Sequence, residues 1–196
     1  MSKLHQSFYL QESAVDVAKQ LLGKELCTKI NGKLTSGIIT ETEAYMGVND
    51  KASHSWNNRR THRTEIMYHE GGVAYVYLCY GIHSLFNVVT NLKDVPHAVL
   101  IRSIIPKRGI EIIKKRRPVN KLMKQIASGP GMVSQALGID CSMTGLSLFG
   151  DKIWIENTDL QLSATQITAT TRIGVDYAGA DALLPYRFFI NPEISN

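Results

Sequence analysis

Apolar residues at Val15, Val17, Ala18, Leu21 and Leu22 follow Ser13 and precede Gly23, a pattern that predicts a capped amphipathic helix with a stop signal. Lys24 to Ile30 and Leu34 to Tyr45 alternate as strands do and meet at Asn31-Gly32, a pair suited to a hairpin turn. Three more strand-like runs follow, VAYVYLCY, IHSLFNVVT and HAVLIRSII, the first two joined tightly through Tyr80-Gly81. In SGPGMVSQALG, Pro130 suits a first helical position and Gly138 the stop. LSLFGDKIWIE predicts a hairpin turning at Gly150-Asp151, and QITATTRIGVDYAG and YRFFI predict short strands and turns. Asn49 to Glu70 is polar, irregular and rich in His and Arg, the kind of long loop that tends to carry function. There is no repeat, linker or regular β-α-β alternation. One α+β domain over residues 1–196 with a mainly antiparallel sheet is expected.

Two acids interrupt this pattern. Strand alternation puts Ile39, Glu41, Glu43 and Tyr45 on one face, with Ile38, Thr40, Thr42 and Ala44 on the other. On HAVLIRSII the same alternation puts Arg102 with Leu100 and Ile104, and a cation among aliphatic side chains needs a buried partner. Glu41 or Glu43 can be that partner, as an ion pair tying two strands together. Carboxylates beside aromatic and His residues in a polar cleft also suit acid/base chemistry. Tyr45, Trp56, Tyr68, Tyr75, Tyr77, Tyr80 and Phe86 are close in sequence, and Tyr75 and Tyr77 share a strand face. Tyr80 falls at a hairpin tip with no core to fill, which suits a wedge entering a base stack.

The bulk numbers admit a self-sufficient core: 196 residues, 44% hydrophobic and 20% charged. No apolar run approaches membrane-spanning length and the start carries no signal-peptide pattern, so a cytosolic or nuclear protein is expected. Cys27, Cys79 and Cys141 match neither a disulfide framework nor a zinc pattern and read as reduced and structural. The net charge of +5 is unevenly spread, since Lys107 to Lys124 holds eight Lys or Arg against the single Glu111. With Arg59, Arg60 and Arg63, this run makes Lys114, Lys115, Arg116 and Arg117 candidates for a nucleic-acid backbone; a solvated basic helix followed by a loop explains them equally well.

The phosphate-binding loops G-x-x-x-x-G-K-[ST] and G-x-G-x-x-G, the metal motifs H-E-x-x-H and C-x-x-C, and the zinc-deaminase signature are all missing. Hydrolysis without a metal is what the motifs leave. A carbohydrate glycosidase could claim Glu41 and Glu43, although acids at i, i+2 on one strand sit on one side of a ligand whereas such enzymes flank the bond. A non-catalytic nucleic-acid binder would use the basic residues and Tyr80 but leave Glu43 and Arg102 without a purpose.

The blocks ETEAYMG, ASHS, RRTHRT, GGVAYVYLCYG, NVVT, AVLIRS, SGPGMVSQALGI and RIGVDYAG, in this order from about Gln11 to Ile190, closely resemble the alkyladenine (3-methyladenine) DNA glycosylase family of mammalian type, known also in bacteria. The resemblance implies a curved sheet with surrounding helices and a protruding, DNA-inserting hairpin. It implies a monomeric, monofunctional enzyme without metal or other cofactor, which excises 3-methyladenine, 7-methylguanine, hypoxanthine and ethenoadenine from double-stranded DNA in base excision repair. Such a protein would be cytoplasmic and nucleoid-associated in a bacterium, nuclear in a eukaryote. Glu43 matches the family's general base; Arg102 and the carbonyl of Ile173 match groups that hold the attacking water; Tyr45, His54 and Tyr77 match the base-pocket walls, with a backbone donor at His54 reading the purine edge. Asn87 matches a residue that crowds out the 2-amino group of guanine, Tyr80 the intercalating residue, and Glu41 a scaffolding acid. Met46 and GIHSLF with its His83 depart from the mammalian pattern.

Overall fold

The computed structural model describes residues 2–118, 122 and 125–190. A helical turn, α1 (Gln6–Tyr9), leads into α2 (Ala14–Leu21), where the Ser13 hydroxyl accepts the Asp16 amide at 3.2 Å and Val17, Ala18 and Leu21 face the core. The strands β1 (Glu25–Ile30), β2 (Lys33–Tyr45), β3 (Ala74–Cys79), β4 (His83–Thr90), β5 (His97–Arg108) and β6 (Ile153–Glu156) form a curled antiparallel sheet in the order β3-β4-β5-β2-β1-β6. Two short strands, β7 (Ile167–Thr170) and β8 (Arg187–Ile190), pair with each other, and β8 also pairs with β2. Among the described residues the remaining α-helices are α3 (Ile110–Arg116) and α4 (Pro130–Leu137), and no helix is long and apolar enough to cross a membrane. Pro130 and Gly138, the latter at φ 70°, bound α4 as the sequence predicts.

The longest strand, β2, organises the molecule. One of its sides is paired to β5 from Ser36 to Tyr45; the other is paired first to β1, then to β8 at Glu41–Glu43. Its register against β5 slips three times: Lys107 has no residue opposite it between the pairs Ser36–Arg108 and Gly37–Pro106, Thr40 has none between Ile39–Ile104 and Glu41–Ser103, and Arg102 has none between Glu41–Ser103 and Thr42–Ile101. The two slips around Glu41 correct the simple alternation. Ile39 and Ile104 turn into the core, whereas Thr40, Glu41, Ser103 and Ile105 line a surface depression. Past the slip, alternation resumes, so Thr42 bonds the Ala18 carbonyl at 2.9 Å while Glu43, Tyr45, Leu100 and Arg102 share the opposite side.

The hairpin expected across Gly150-Asp151 does not form. The Leu146 carbonyl accepts from Ala74, the Leu148 amide donates to the Gly72 carbonyl, and Leu148 is fully buried, so this segment extends the edge beside β3. Only Ile153–Glu156 becomes a strand, on the outer side of β1. Burying Leu148 under β3 decided the pairing over the local turn signal.

Candidate active site

A cavity of about 260 Å³ opens between β2, β3, β4, β5 and the loops after β2 and β7, and its lining includes Glu43, Tyr45, His54, Tyr75, Tyr77, Asn87, Arg102 and Ile173. That is slightly below the usual ~300–1,000 Å³ of small-molecule sites and suits one flat heterocycle. Glu43 is 0% exposed, yet it forms part of the cavity wall; three donors cover its oxygens. The Ile173 amide donates to Oε1 at 2.8 Å, the Tyr45 hydroxyl donates to Oε2 at 2.9 Å, and an Arg102 guanidinium nitrogen lies 3.2 Å from Oε2. A carboxylate offers roughly four lone-pair sites, so this arrangement fixes the group and leaves room for about one further donor, such as a water. Ile173 thus meets Glu43 through its backbone amide.

Glu41 is held differently. It accepts Arg102 Nε at 3.1 Å and Arg187 at 2.8 Å, so Arg102 bridges the two acids and Glu41 anchors both arginines. The ion pair between strands expected from the sequence therefore exists, and it also builds the cavity wall. Both acids lie on one strand, and of the two only Glu43 lines the cavity, which disposes of the flanking pair a carbohydrate glycosidase needs.

The opposite wall is aromatic. His54 meets Tyr77 edge-on at 4.7 Å between ring centres, and its Nδ1 is 2.8 Å from the Tyr75 hydroxyl. Burial, aided by Arg63 and Arg59, lowers the His54 pKa to about 4, so the imidazole is neutral at pH 7. Burial, and then the charge of Glu43, raises the Tyr45 phenol well above its ordinary value, so it stays a donor. Asn87 spends its amide hydrogens on the Tyr75 and Leu85 carbonyls, which fixes its orientation at the cavity wall.

Behind the site lies a buried ion pair that the sequence patterns do not mark. Arg172 contacts both Asp50 oxygens, one at 2.8 Å, and donates to the carbonyls of Ala44 and Asp181, while its guanidinium lies 5.0 Å from the Tyr45 ring centre and 5.3 Å from that of Tyr186. Asp50 in turn accepts the amides of Met46 and Ala52. One pair thus ties Glu43–Met46, Asp50–His54 and Arg172–Ile173 together. Its signal in the sequence is no more than Arg172 preceding Ile173. Tyr75 is legible by sharing a strand face with Tyr77.

A scan against protein-family models matches the methylpurine-DNA glycosylase family over residues 7–193. The chain belongs to the methylpurine-DNA glycosylase family. Bacterial relatives, each named "Putative 3-methyladenine DNA glycosylase", include those of Chlamydia felis, 49% identical over 96% of both chains, and Desulfitobacterium hafniense, 41% identical over 97% of this chain and 96% of the relative. Another, from Bacillus cereus, is 44% identical over 93% of both. Membership makes the protein a hydrolase of the DNA glycosylase type, with DNA as its substrate.

Within this glycosylase the remaining sequence candidates fare unequally. Tyr80 stands 89% exposed at the β3–β4 tip, flanked by exposed Leu78 and Ile82. Its φ of 51° and the 70° of Gly81 place two left-handed residues in a three-residue loop between the paired Cys79 and His83, one residue longer than the Asn31-Gly32 turn between Ile30 and Lys33. A tyrosine in the left-handed region costs roughly 1–2 kcal/mol, which the fold meets while keeping a large ring in solvent. His83 packs on α4, where a side-chain carbon added at Gly131 would lie 2.9 Å from the imidazole. Arg59 is exposed beside the cavity. Arg60, by contrast, is paired with Glu65 and Asp94, and Arg63 lies 5.0 Å from the Tyr77 ring centre.

Several described members of the basic run are engaged within the fold. Lys107 and Arg108 pair with Glu25, and Arg108 also with Glu156; Lys114 pairs with Glu111. Arg116 bonds Thr35 and the Ala136 carbonyl, and Arg117 bonds Gln135 and the Ile126 carbonyl, so these two join α3 to its neighbours. Thr35 is eight residues along β2 from Glu43, roughly 26 Å, which puts this group at the far end of the strand. Lys115 is exposed, and Lys121 and Lys124 lie outside the described residues. All three cysteines are free; Cys27 alone is buried, its thiol raised to about 12 by burial, whereas Cys79 lines the cavity and Cys141 is exposed.

Proposed function

We propose that this glycosylase hydrolyses the N-glycosidic bond of alkylated or deaminated purines extruded from duplex DNA, among them 3-methyladenine, 7-methylguanine, hypoxanthine and ethenoadenine, and so begins base excision repair. It acts as a monomer of one domain, in the bacterial cytoplasm on nucleoid DNA. The observation that carries the reading is a fixed carboxylate, Glu43, facing an aromatic cavity of base size. A base inside a duplex is out of reach, and the unstacking cost of a few kcal/mol is smaller for damaged pairs.

Glu43 takes a proton from a water whose oxygen bonds the sugar's anomeric carbon as the carbon–nitrogen bond breaks, its electron pair leaving with the purine. The carboxylate also offsets the positive charge of the oxocarbenium-like state. Arg102 and Ile173 position the carboxylate and the water, and Tyr45, His54 and Tyr77 sandwich the base, with the His54 backbone at the purine edge. A cationic alkylated ring gains roughly 0.5–2 kcal/mol over aromatic faces, too little to select alone, so lability of the leaving group and crowding at Asn87 contribute. Arg59 is the backbone contact best supported by its exposed place in the depression beside the cavity and its lack of an ion pair among the described residues.

A panel of duplexes each carrying one lesion, assayed for free base, tests the reaction. Hypoxanthine or 7-methylguanine is expected to be released; intact glycosidic bonds across the whole panel would overturn the reading. Tyr80 fills the gap left by the extruded nucleotide, and Tyr80→Ser is expected to weaken binding to lesion duplex by about tenfold. Unchanged affinity together with unchanged fluorescence of a reporter base at the flipped position would remove the wedge from the mechanism.

A further inference from the structure

Next to the base cavity, and sharing Ser53, His54 and Tyr177 with it, lies a second depression of about 380 Å³ whose other walls are Lys51, Trp56 and Arg59. Two large aromatic side chains stand in solvent there, Trp56 at 46% and Tyr177 at 70% exposure. The Tyr177 side chain and the backbone at Trp56 are both held. The Tyr177 hydroxyl donates to the Ala52 carbonyl at 3.2 Å. After Trp56 the chain passes through Asn57 and Asn58, both left-handed at φ 54° and 56°, and the Asn58 side chain accepts the buried Tyr68 hydroxyl at 3.1 Å. The Arg59 amide then donates back to the Trp56 and Ser55 carbonyls. Two successive left-handed residues are unfavourable even for asparagine, so the backbone that carries the exposed Trp56 and Arg59 is set against a conformational preference.

The charges of the depression point the same way. Lys51 and Arg59 make no ion pair among the described residues, although Arg60 beside them is neutralised by two carboxylates. An aromatic plate with unpaired cations at its rim, continuous with a base cavity, is complementary to a nucleic-acid strand: any base offers a flat face, and the backbone offers negative charge.

We propose that this depression seats a second nucleotide of the damaged strand, the neighbour of the extruded one, when that neighbour is unpaired. Its base stacks on Trp56 and its phosphodiester lies against Lys51 and Arg59. A neighbour held in a duplex stays stacked on its own helix and cannot reach the indole, so the seat serves single-stranded or locally melted DNA. The proposal rests on reading the adjacent cavity as the base pocket.

The test compares affinities for one oligodeoxynucleotide carrying an abasic-site analogue, offered single-stranded and as a duplex, so that no base release is involved. Trp56→Ala is expected to weaken single-strand binding about tenfold and duplex binding less than about threefold, with Trp56→Phe restoring the former. Lys51→Gln and Arg59→Gln should each reduce the salt slope of single-strand binding by about 0.7. The other tryptophan, Trp154, is buried, so quenching of the indole signal by the single strand should disappear in Trp56→Phe. Equal effects of Trp56→Ala on both forms, no effect on either, or a wild-type protein that does not bind the single strand would overturn the seat. Failure of the wild type to release base from any lesion would instead sink the reading of the cavity and leave these affinities to be judged by themselves.

Discussion

Glu43→Gln is expected to release base from a hypoxanthine duplex at under about 1% of the wild-type rate while still binding that duplex, because general-base action contributes about 10² to 10⁴ in rate. The amide keeps the size of the carboxylate but loses its charge and proton affinity. Its nitrogen must also face a donor, since the Ile173 amide points at one oxygen while Tyr45 and Arg102 point at the other. Arg102 keeps a charge partner in Glu41, so the strand pair should hold and the variant should fold. Single-turnover release of free base, measured beside affinity for the same duplex, separates chemistry from binding. Release at the wild-type rate would show that another group activates the water.

Asp50→Ala should be the most destabilising single change at the site, by about 3–5 kcal/mol, the cost of leaving one member of a buried ion pair alone. Arg172 has no solvent to turn to: its side chain is 0% exposed, and its Nε already lacks a hydrogen-bond partner. The change would also free the amides of Met46 and Ala52, which Asp50 accepts, and so loosen both ends of the loop that carries His54. Urea unfolding measures the loss. Replacing both partners with apolar side chains, as in Asp50→Leu with Arg172→Met, should recover part of it, because the desolvated charge is gone. A loss under about 1 kcal/mol for Asp50→Ala would mean that the pair contributes little to holding these segments.

The two groups differ in how clearly the amino-acid sequence marks them. Glu43 stands out because a carboxylate in a strand breaks the apolar pattern, and the turn residues Asn31-Gly32 and Tyr80-Gly81 locate both hairpins from chemistry confined to two positions. The family resemblance then puts Tyr45, His54, Tyr77, Asn87 and Arg102 around that acid, and all of them line the cavity. The Arg172–Asp50 pair joins residues 122 positions apart and carries no such mark.

The basic residues show the same divide. Arg60 and Arg59 are adjacent and alike in composition, yet Glu65 and Asp94, the latter 34 positions further on, neutralise one and leave the other exposed beside the cavity. Likewise Arg116 and Arg117 read as part of a charge run but are claimed by Thr35, Gln135 and backbone carbonyls once α3 packs. What the chain alone determined was each element whose signal lies within a few residues: helix caps, turns, and which side of a strand carries its acids. What the tertiary structure decided was partnership: the register slip at Thr40, the docking of Leu146–Leu148 beside Gly72–Ala74, and which charges are spent inside the fold. Local backbone preference is encoded in adjacent residues, whereas a partner is set by which distant strands and loops the fold brings into contact.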